Sequence, residues 1–288
     1  MHSSIAICFI ISIWVSNSET AQESRIYDGY AIDISEAPYM AQVYFLDKKH
    51  FEHRCGGAIL REDIVITAGH CVRDSHTLED RDAKGFSVMV GATERHDPKM
   101  GHTLEVQNVY PHPNFKGHKG GLHHDVGILR LASKIVMGEN TESIKLALSS
   151  DETPVGRKII TSGWGRNPQH PNDEGLYQAI MAISSYRECA KRYNQDIEEL
   201  KKHEICAKPV QGKTCPGDSG GPAIDTKTNR IIGLTSFGKG GCDVNHAVVF
   251  VKITDNLDFI HSIISQNVTN DSSVASDDGC DEPSLEEH

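Results

Sequence analysis

The sequence lacks any surplus of positive charge, and its formal net charge at pH 7 is −11 over 288 residues. Nucleic-acid binding needs a basic surface, so this balance argues against a nucleic-acid partner. The negative charge is unevenly placed, because residues 267–288 hold seven Asp or Glu and no Lys or Arg. We expect that segment to be a disordered acidic tail.

A hydrophobic run long enough to cross a membrane is also lacking at the N-terminus. The apolar-rich stretch there extends from Ile5 to Val15, and it falls short of the roughly 20 residues that a transmembrane helix requires. Small residues follow at Ser16 and Ser18, at the spacing of a signal-peptidase site. We therefore expect residues 1–18 to be a signal peptide, and the protein to be secreted and extracellular without a membrane partner.

The paired Cys-x-x-Cys spacings of zinc modules are absent, so a zinc site of that kind is not expected. Of the eight cysteines, Cys8 would leave with the signal peptide and Cys280 stands alone in the tail. The other six lie in the globular part, where an extracellular location permits disulfides. Cys280 is left as either a free thiol or a partner in an intermolecular bridge.

What the chain does have is a series of short β-forming runs separated by Gly- and Pro-rich turns. The runs are residues 40–46, 57–60, 64–67, 86–90, 103–110, 126–131, 158–162, 176–184, 223–225, 230–237 and 248–252. Helical periodicity appears around residues 187–201 and 254–265. Many short strands predict an all-β sandwich or a pair of barrels.

The segment 214–222, TCPGDSGGP, contains three glycines and two prolines. Such a composition excludes a helix interior or a central strand and predicts a tight loop. Ser219 lies at its centre, where flanking glycines would leave backbone N–H groups free to bind an oxyanion beside a hydroxyl nucleophile. Taken alone, the segment is better explained as an ordinary Gly/Pro turn with an incidental Ser.

Two further motifs supply the groups that a serine nucleophile needs. The segment 67–71, TAGHC, places His70 beside a cysteine, and the segment 123–131, HHDVGILRL, places Asp125 at the entry of an apolar strand. In acyl transfer a histidine takes the proton of the serine, and an aspartate fixes the tautomer and stabilises the imidazolium.

In the order His, Asp, Ser, these motifs and the Trp turn 162–165 (SGWG) resemble the chymotrypsin/trypsin family of serine peptidases, over residues 26–266. The resemblance implies an all-β fold of two packed antiparallel six-stranded β-barrels with a C-terminal helix. It also implies a secreted serine endopeptidase, acting through an acyl-enzyme on protein or peptide substrates, with no cofactor.

The resemblance assigns roles to single residues. His70 is similar to the general base, Asp125 to the carboxylate that orients it, and Ser219 to the nucleophile. The N–H groups of Gly217 and Ser219 would form the oxyanion hole.

Substrate-binding roles follow from the segment 235–238 (TSFG). Ser236 matches the serine that hydrogen-bonds the buried aspartate. Phe237 and Gly238 would pair with the substrate backbone, with Phe in place of the family's more usual Trp.

Activation is implied as well. Residues 19–25 would be a propeptide cut after Arg25 by a trypsin-like protease, which makes the precursor an inactive zymogen. The new amine of Ile26 would then pair with Asp218, since a buried unpaired carboxylate is costly. The residues that follow, Tyr27 and Asp28, depart from the family's usual Val-Gly.

Three disulfides are implied by the same resemblance: Cys55–Cys71, Cys189–Cys206 and Cys215–Cys242. The first would brace the loop of the histidine, and the last would join the two walls of the specificity pocket.

The pocket departs from the trypsin pattern. Lys213 stands two residues before Cys215, where trypsins have Asp, so a preference for Arg or Lys is not expected. Val248 stands on the opposite wall where Gly is usual, and it should shorten the pocket. Either Lys213 reaches an acidic substrate side chain, or it turns away, for example to Asp243, and the pocket accepts small or medium neutral side chains.

No metal is expected. The segment 91–96, GATERH, lacks the first Glu of the family's calcium loop. His112, His118, His123 and His124 could suggest a metal, but a solvated loop is the favoured interpretation.

Glycosylation sequons occur at Asn267 and Asn270. We expect a monomer that could meet protein inhibitors, in a digestive or a regulatory role. The main alternative is a catalytically weak or inactive homologue acting as a binding or decoy protein.

Overall fold

The computed structural model of the protein describes residues 28–46, 52–168, 171–239 and 241–266. The expected signal peptide and propeptide, the residues Arg25 and Ile26, and the acidic tail with Asn267 and Asn270 lie outside the described residues.

Short strands dominate the described chain, together with four short α-helices. The strands are β1 (Tyr30–Ala31), β2 (Met40–Leu46), β3 (Glu52–Arg61), β4 (Ile64–Thr67), β5 (Phe86–Val90), β6 (His102–Pro111), β7 (Gly127–Leu131), β8 (Lys145–Leu146), β9 (Lys158–Gly163), β10 (Tyr177–Ile183), β11 (Glu204–Gln211), β12 (Pro222–Asp225), β13 (Arg230–Gly238) and β14 (Val248–Lys252). The helices are α1 (Gly69–Val72), α2 (Tyr186–Tyr193), α3 (Ile197–His203) and α4 (Leu257–Ile264).

The first six-stranded barrel closes in the order β2, β3, β4, β7, β6, β5 with antiparallel pairing throughout. Its strands are rich in β-branched residues, and side chains such as Val43, Ile59, Val65 and Leu129 fill the interior. Closure leaves no strand edge unpaired within the barrel.

The second barrel closes in the order β10, β11, β14, β13, β12, β9, with β9 pairing back to β10. Strand β1 adds to β10, and β8 adds to β13 in parallel. The predicted all-β fold of two packed six-stranded barrels with a C-terminal helix is therefore confirmed.

One apolar cluster joins the two barrels and the last helix. Ile64 and Ile128 of the first barrel share it with Phe250 of the second barrel and with Ile260 and Ile263 of α4. The interface between the barrels is thus part of the hydrophobic core, where most of the stabilising apolar burial occurs.

Two arginines of the first barrel bind the C-terminal end of α4. The buried Arg130 donates through Nη2 to the carbonyls of Ile263 (2.8 Å) and Gln266 (3.2 Å), and Arg61 donates through Nη1 to the carbonyl of Ile264 (2.7 Å). The last carbonyls of a helix have no partners within it, so these bonds fasten α4 to the first barrel.

The predicted helical segment 187–201 proves to be two helices. Asn194 ends α2 with a left-handed backbone (φ 53°), and the Asp196 side chain caps α3 by accepting from the N–H groups of Glu198 and Glu199. Helix α3 then ends at His203, directly before β11. None of the four described helices has the length and apolar content to cross a membrane.

Candidate active site

His70 and Asp125 meet in the first barrel. His70 lies in α1, directly after β4, and Asp125 lies just before β7, which pairs with β4. The backbone N–H of His70 donates to Asp125 Oδ1 (2.7 Å), and His70 Nδ1 lies 2.8 Å from Asp125 Oδ2. Asp125 is fully buried, whereas 22% of the His70 side chain is exposed. The pair can therefore hold an oriented imidazole that remains partly exposed to solvent.

A hydroxyl from the second barrel completes the surroundings of this carboxylate. Ser236 Oγ, on β13, donates to Asp125 Oδ2 at 2.5 Å. Burial lowers the pKa of the His70 imidazole, but the Asp125 carboxylate outweighs that effect, so the pKa of His70 is raised from its ordinary value. Asp125 thus favours the protonated imidazole that a proton transfer to His70 would create.

The loop that carries Ser219 comes from the second barrel and docks on the first. Gly56 N donates to Ser219 O (2.7 Å), and Cys71 Sγ lies 3.9 Å from the same oxygen. Gly220 has φ +80°, and a Cβ there would lie 2.5 Å from Gly56 O and overlap Thr67. Only glycine allows this approach, which brings the partly exposed Ser219 to the segment of His70.

Asp218, beside Ser219, is almost completely buried against the Trp turn. Its carboxylate accepts from the N–H groups of Gly165 and Cys215, both at 2.7 Å. A Cβ at Gly163 or Gly165 would overlap the carboxyl group. Burial raises the pKa of Asp218 to about 6, because the charged carboxylate is costly away from water. A positively charged partner would reduce that cost, and the pairing with Ile26 stays a prediction.

The expected pocket residues line one cavity of about 260 Å³ beside the loop. Its walls include Lys213, Ser219, Ser236, Phe237, Gly238 and Val248. These residues therefore share one space, and their roles in binding substrate stay a prediction. Gly217 lies outside it, with a left-handed backbone (φ +101°) that faces Gly165.

Lys213 is fully buried and does not point into open space. Its Nζ donates to the carbonyl oxygens of Asp243 (2.7 Å) and Lys239 (3.3 Å). Burial lowers the pKa of the ammonium, and the nearby Asp243 carboxylate opposes that shift. The lysine thus turns to Asp243, as one of the two hypotheses expects, although through the backbone oxygen.

The three disulfides implied by the resemblance are present. They join Cys55 to Cys71, Cys189 to Cys206 and Cys215 to Cys242. The first fixes α1 to β3, and the last links the segments on either side of the cavity.

The interpretation of four histidines as a solvated loop is wrong for three of them. His112 is buried and stacks on His124 with the ring centroids 4.6 Å apart. The ring centroids of His123 and His203 are 4.8 Å apart. His118 instead packs on His76.

Glu204 and Asp255 belong to the same cluster, which we call the histidine cluster: His112, His123, His124, His203, Glu204 and Asp255. Glu204 is fully buried with His123 Nδ1 at 3.0 Å, and burial raises the pKa of Glu204 to about 7. Sequence reasoning missed the members after residue 200, because no local pattern links residues so far apart in the chain.

Comparisons with known proteins agree with this geometry. The family model Trypsin matches residues 26–260. The chain is 30% identical to the vitellin-degrading protease of Bombyx mori over 275 residues, which cover 94% of this chain and 96% of that protein. It is 29% identical to trypsin iota of Drosophila melanogaster over 252 residues, which cover 86% of this chain and 92% of that protein.

A third relative is longer than this chain. Transmembrane protease serine 5 of Homo sapiens is 28% identical over 83% of this chain and 51% of its own length. The chain belongs to the trypsin family and is a serine endopeptidase with the chymotrypsin-like fold.

Proposed function

We propose that the protein is a secreted endopeptidase that uses Ser219, His70 and Asp125 and cleaves after small or medium neutral residues. The observation that carries the proposal is the Asp125 carboxylate. It is buried, accepts from His70 and Ser236, and lies beside the docked loop of Ser219. A buried carboxylate that orients a histidine is the support that general-base activation of a serine requires.

The proposed reaction begins when Ser219 Oγ attacks the scissile carbonyl carbon. His70 takes the hydroxyl proton and then delivers it to the leaving amine, while Asp125 stabilises the imidazolium. The N–H groups of Gly217 and Ser219 would hold the oxyanion, which is where charge develops in the transition state. Water, activated by the same imidazole, would then hydrolyse the acyl-enzyme.

The substrate preference rests on Lys213 and Val248. No carboxylate lies among the described residues that line the cavity, and the buried ammonium would repel a basic substrate side chain. To bind an acidic side chain, Lys213 would have to leave its two carbonyl partners. A neutral side chain packed on Val248 needs no such change.

The proposal includes maturation. Residues 1–18 would be removed as a signal peptide, and a trypsin-like protease would cut after Arg25. The amine of Ile26 would then neutralise Asp218, whose burial makes an unpaired charge costly.

The proposal is tested with protein matured at Ile26 and a panel of peptide amide substrates. The substrates carry Ala, Leu, Phe, Glu or Arg before the scissile bond. We expect kcat/KM to be highest for Ala or Leu, and a fluorophosphonate probe to label Ser219. Ser219→Ala should lose both signals and retain the thermal unfolding midpoint. Preferred cleavage after Arg would contradict the pocket assignment, and failure of Ser219 to react would favour the binding or decoy alternative.

A further inference from the structure

We propose that His124, His203 and Asp255 form a binding site for a divalent transition-metal ion such as Zn²⁺. The site lies outside the proposed catalytic residues, and it would join the two barrels at the residue that precedes Asp125. It depends on no assumption about substrate.

Two imidazoles and one carboxylate converge at a single point. One ligand atom from each of the three residues lies within 4.8 Å of the others. Asp255 Oδ2 is 2.6 Å from His203 Nδ1 and 3.6 Å from His124 Nδ1. Atoms that bind Zn²⁺ at about 2.0–2.2 Å in a tetrahedron lie roughly 3.4 Å apart. Small rotations of the three side chains would therefore surround an ion.

The donor atoms match the chemistry of such an ion. Zn²⁺ binds imidazole nitrogen and carboxylate oxygen, and three protein ligands with one further oxygen is a common set. Asn256 offers that oxygen, because its Oδ1 lies 2.9 Å from His124 Nδ1. Its amide nitrogen donates to Lys252 O at 2.7 Å, which turns Oδ1 toward the histidine.

A second carboxylate supports the outer nitrogen of one ligand. His203 Nε2 lies 3.3 Å from Glu199 Oε2, on the opposite side of the ring from Asp255. Histidines that bind metals usually donate their other ring N–H to a carboxylate, which fixes the tautomer and raises the basicity of the ligand. Glu199 would therefore support the His203 ring from its Nε2 side, whereas Asp255 lies on the Nδ1 side as a proposed ligand.

Packing holds the rings in place before an ion arrives. His124 stacks on His112 and meets His203 edge to face at 4.7 Å. The side chains of His124 and Asp255 are each 19% exposed, so an ion has a path from solvent. Ligands that are oriented in advance lose little entropy on binding.

A further buried carboxyl group lies beside the site. Glu204 Oε2 is buried without a hydrogen-bond partner among the described residues, and Glu204 adjoins His203 in the chain. The other group of potential ligands, Cys55, His70 and Cys71, carries no such proposal because both sulfurs form a disulfide.

The ion would act as a cross-link. His124 belongs to the first barrel and directly precedes Asp125, whereas His203 ends α3 and Asp255 precedes α4 in the second half of the chain. Binding to the folded state alone stabilises it. At a concentration about 100 times Kd, we expect the thermal unfolding midpoint to rise by about 5–10 °C.

Titration of the chelator-treated, full-length protein with ZnCl₂ tests the proposal by calorimetry and thermal unfolding. We expect one ion per chain and the stated rise in midpoint. His124→Asn keeps a residue that tolerates the left-handed backbone there (φ 55°), and Asp255→Asn removes the carboxylate. Both should weaken binding at least tenfold, whereas His118→Gln, a matched histidine outside the cluster, should not.

Glu199→Gln keeps the test decisive if a ligand variant fails to fold. Glu199 is exposed, so the variant should fold normally, and loss of the outer carboxylate should weaken binding about tenfold. Absence of saturable binding to the unmodified protein would overturn the proposal and leave His203 and Asp255 as an ordinary hydrogen-bonded pair. An equal loss in His118→Gln and His124→Asn would also overturn it.

Discussion

The hydroxyl of Ser236 is a small group with a large expected effect, because it donates to the proposed orienting carboxylate. A hydrogen bond to a charged group contributes about 1.5–3 kcal/mol. We expect Ser236→Ala to lower kcat about 10- to 100-fold with little change in KM, as measured by steady-state kinetics on the matured protein.

Thr161→Val is the control for that change. Thr161 Oγ1 is also buried on a strand of the second barrel, but it has no hydrogen-bond partner among the described residues. Its removal should leave kcat unchanged. An equal loss in both variants would mean that Ser236 acts only through packing.

His70 should set the acid limit of activity. The proposed base must be neutral, and Asp125 raises the pKa of His70 above its ordinary value near 6.5. Activity should therefore be full above the raised pKa and fall as the pH drops through it. In Asp125→Asn we expect the midpoint of kcat/KM against pH to move lower, together with a loss of about 10⁴ in kcat. An unmoved midpoint would contradict this assignment.

At this scale the sequence was informative where chemistry is local. The glycines and prolines around Ser219 impose their conformation on that loop alone, and they could be interpreted without a structure. For Lys213 the sequence offered two alternatives, one of them Asp243, and could not choose between them, because Asp243 and Lys239 approach the lysine only after the cavity walls have folded together. The contact between His203 and Asp255 could not be predicted from the sequence for the same reason.

Among the structural elements, we expect the Trp turn 162–165 to be sensitive to substitution. Gly165 N donates to Asp218, and a Cβ at Gly165 would overlap the carboxyl group. We expect Gly165→Ala to destabilise the protein by about 1–3 kcal/mol in urea unfolding and to lower kcat, since Asp218 adjoins Ser219.

Gly85→Ala provides the comparison. Its added Cβ would meet Leu46 O at an ordinary 3.6 Å, and its φ is not in the left-handed region. Its effect on unfolding should stay within about 0.5 kcal/mol. Similar losses in both variants would contradict the role given to the turn.

Strands were predictable where β-branched runs stand between turn residues. The bounds of β4, β5 and β14 agree with the sequence prediction. Strand β11 was missed, because its sequence EICAKPVQ mixes charge and proline with few alternating apolar residues. Pairing with β10 and β14 makes it a strand, which is tertiary context overriding local preference.

For the molecule as a whole, maturation should change how stability depends on pH. Burial raises the pKa of Asp218 from 3.8 to about 6 in the uncut chain. A raised pKa in the folded state gives stability that is present below the unfolded value and lost as the pH rises through the folded value. The precursor should therefore lose up to about 3 kcal/mol between pH 4 and 7.

Pairing with the Ile26 amine should reduce that loss. Urea unfolding at pH 4.5 and 7.5 would compare an uncleavable Arg25→Gln precursor with matured Ser219→Ala protein. We expect the matured protein to lose less stability at the higher pH. Equal pH dependence in the two forms would argue against the proposed ion pair.

Because the two barrels share the proposed catalytic site, enzyme activity should depend on how accurately the barrels are positioned against each other. The proposed base His70 and its partner Asp125 come from one barrel, and Ser219 comes from the other. Gly56 N, which binds Ser219 O, and the two arginines of the first barrel that bind α4 hold the barrels together. A slip of about an ångström would separate nucleophile from base without breaking a single strand pair. Heat or urea should therefore abolish enzyme activity at a lower temperature or concentration than the one at which the circular dichroism changes. A loss of activity on storage is then compatible with intact secondary structure.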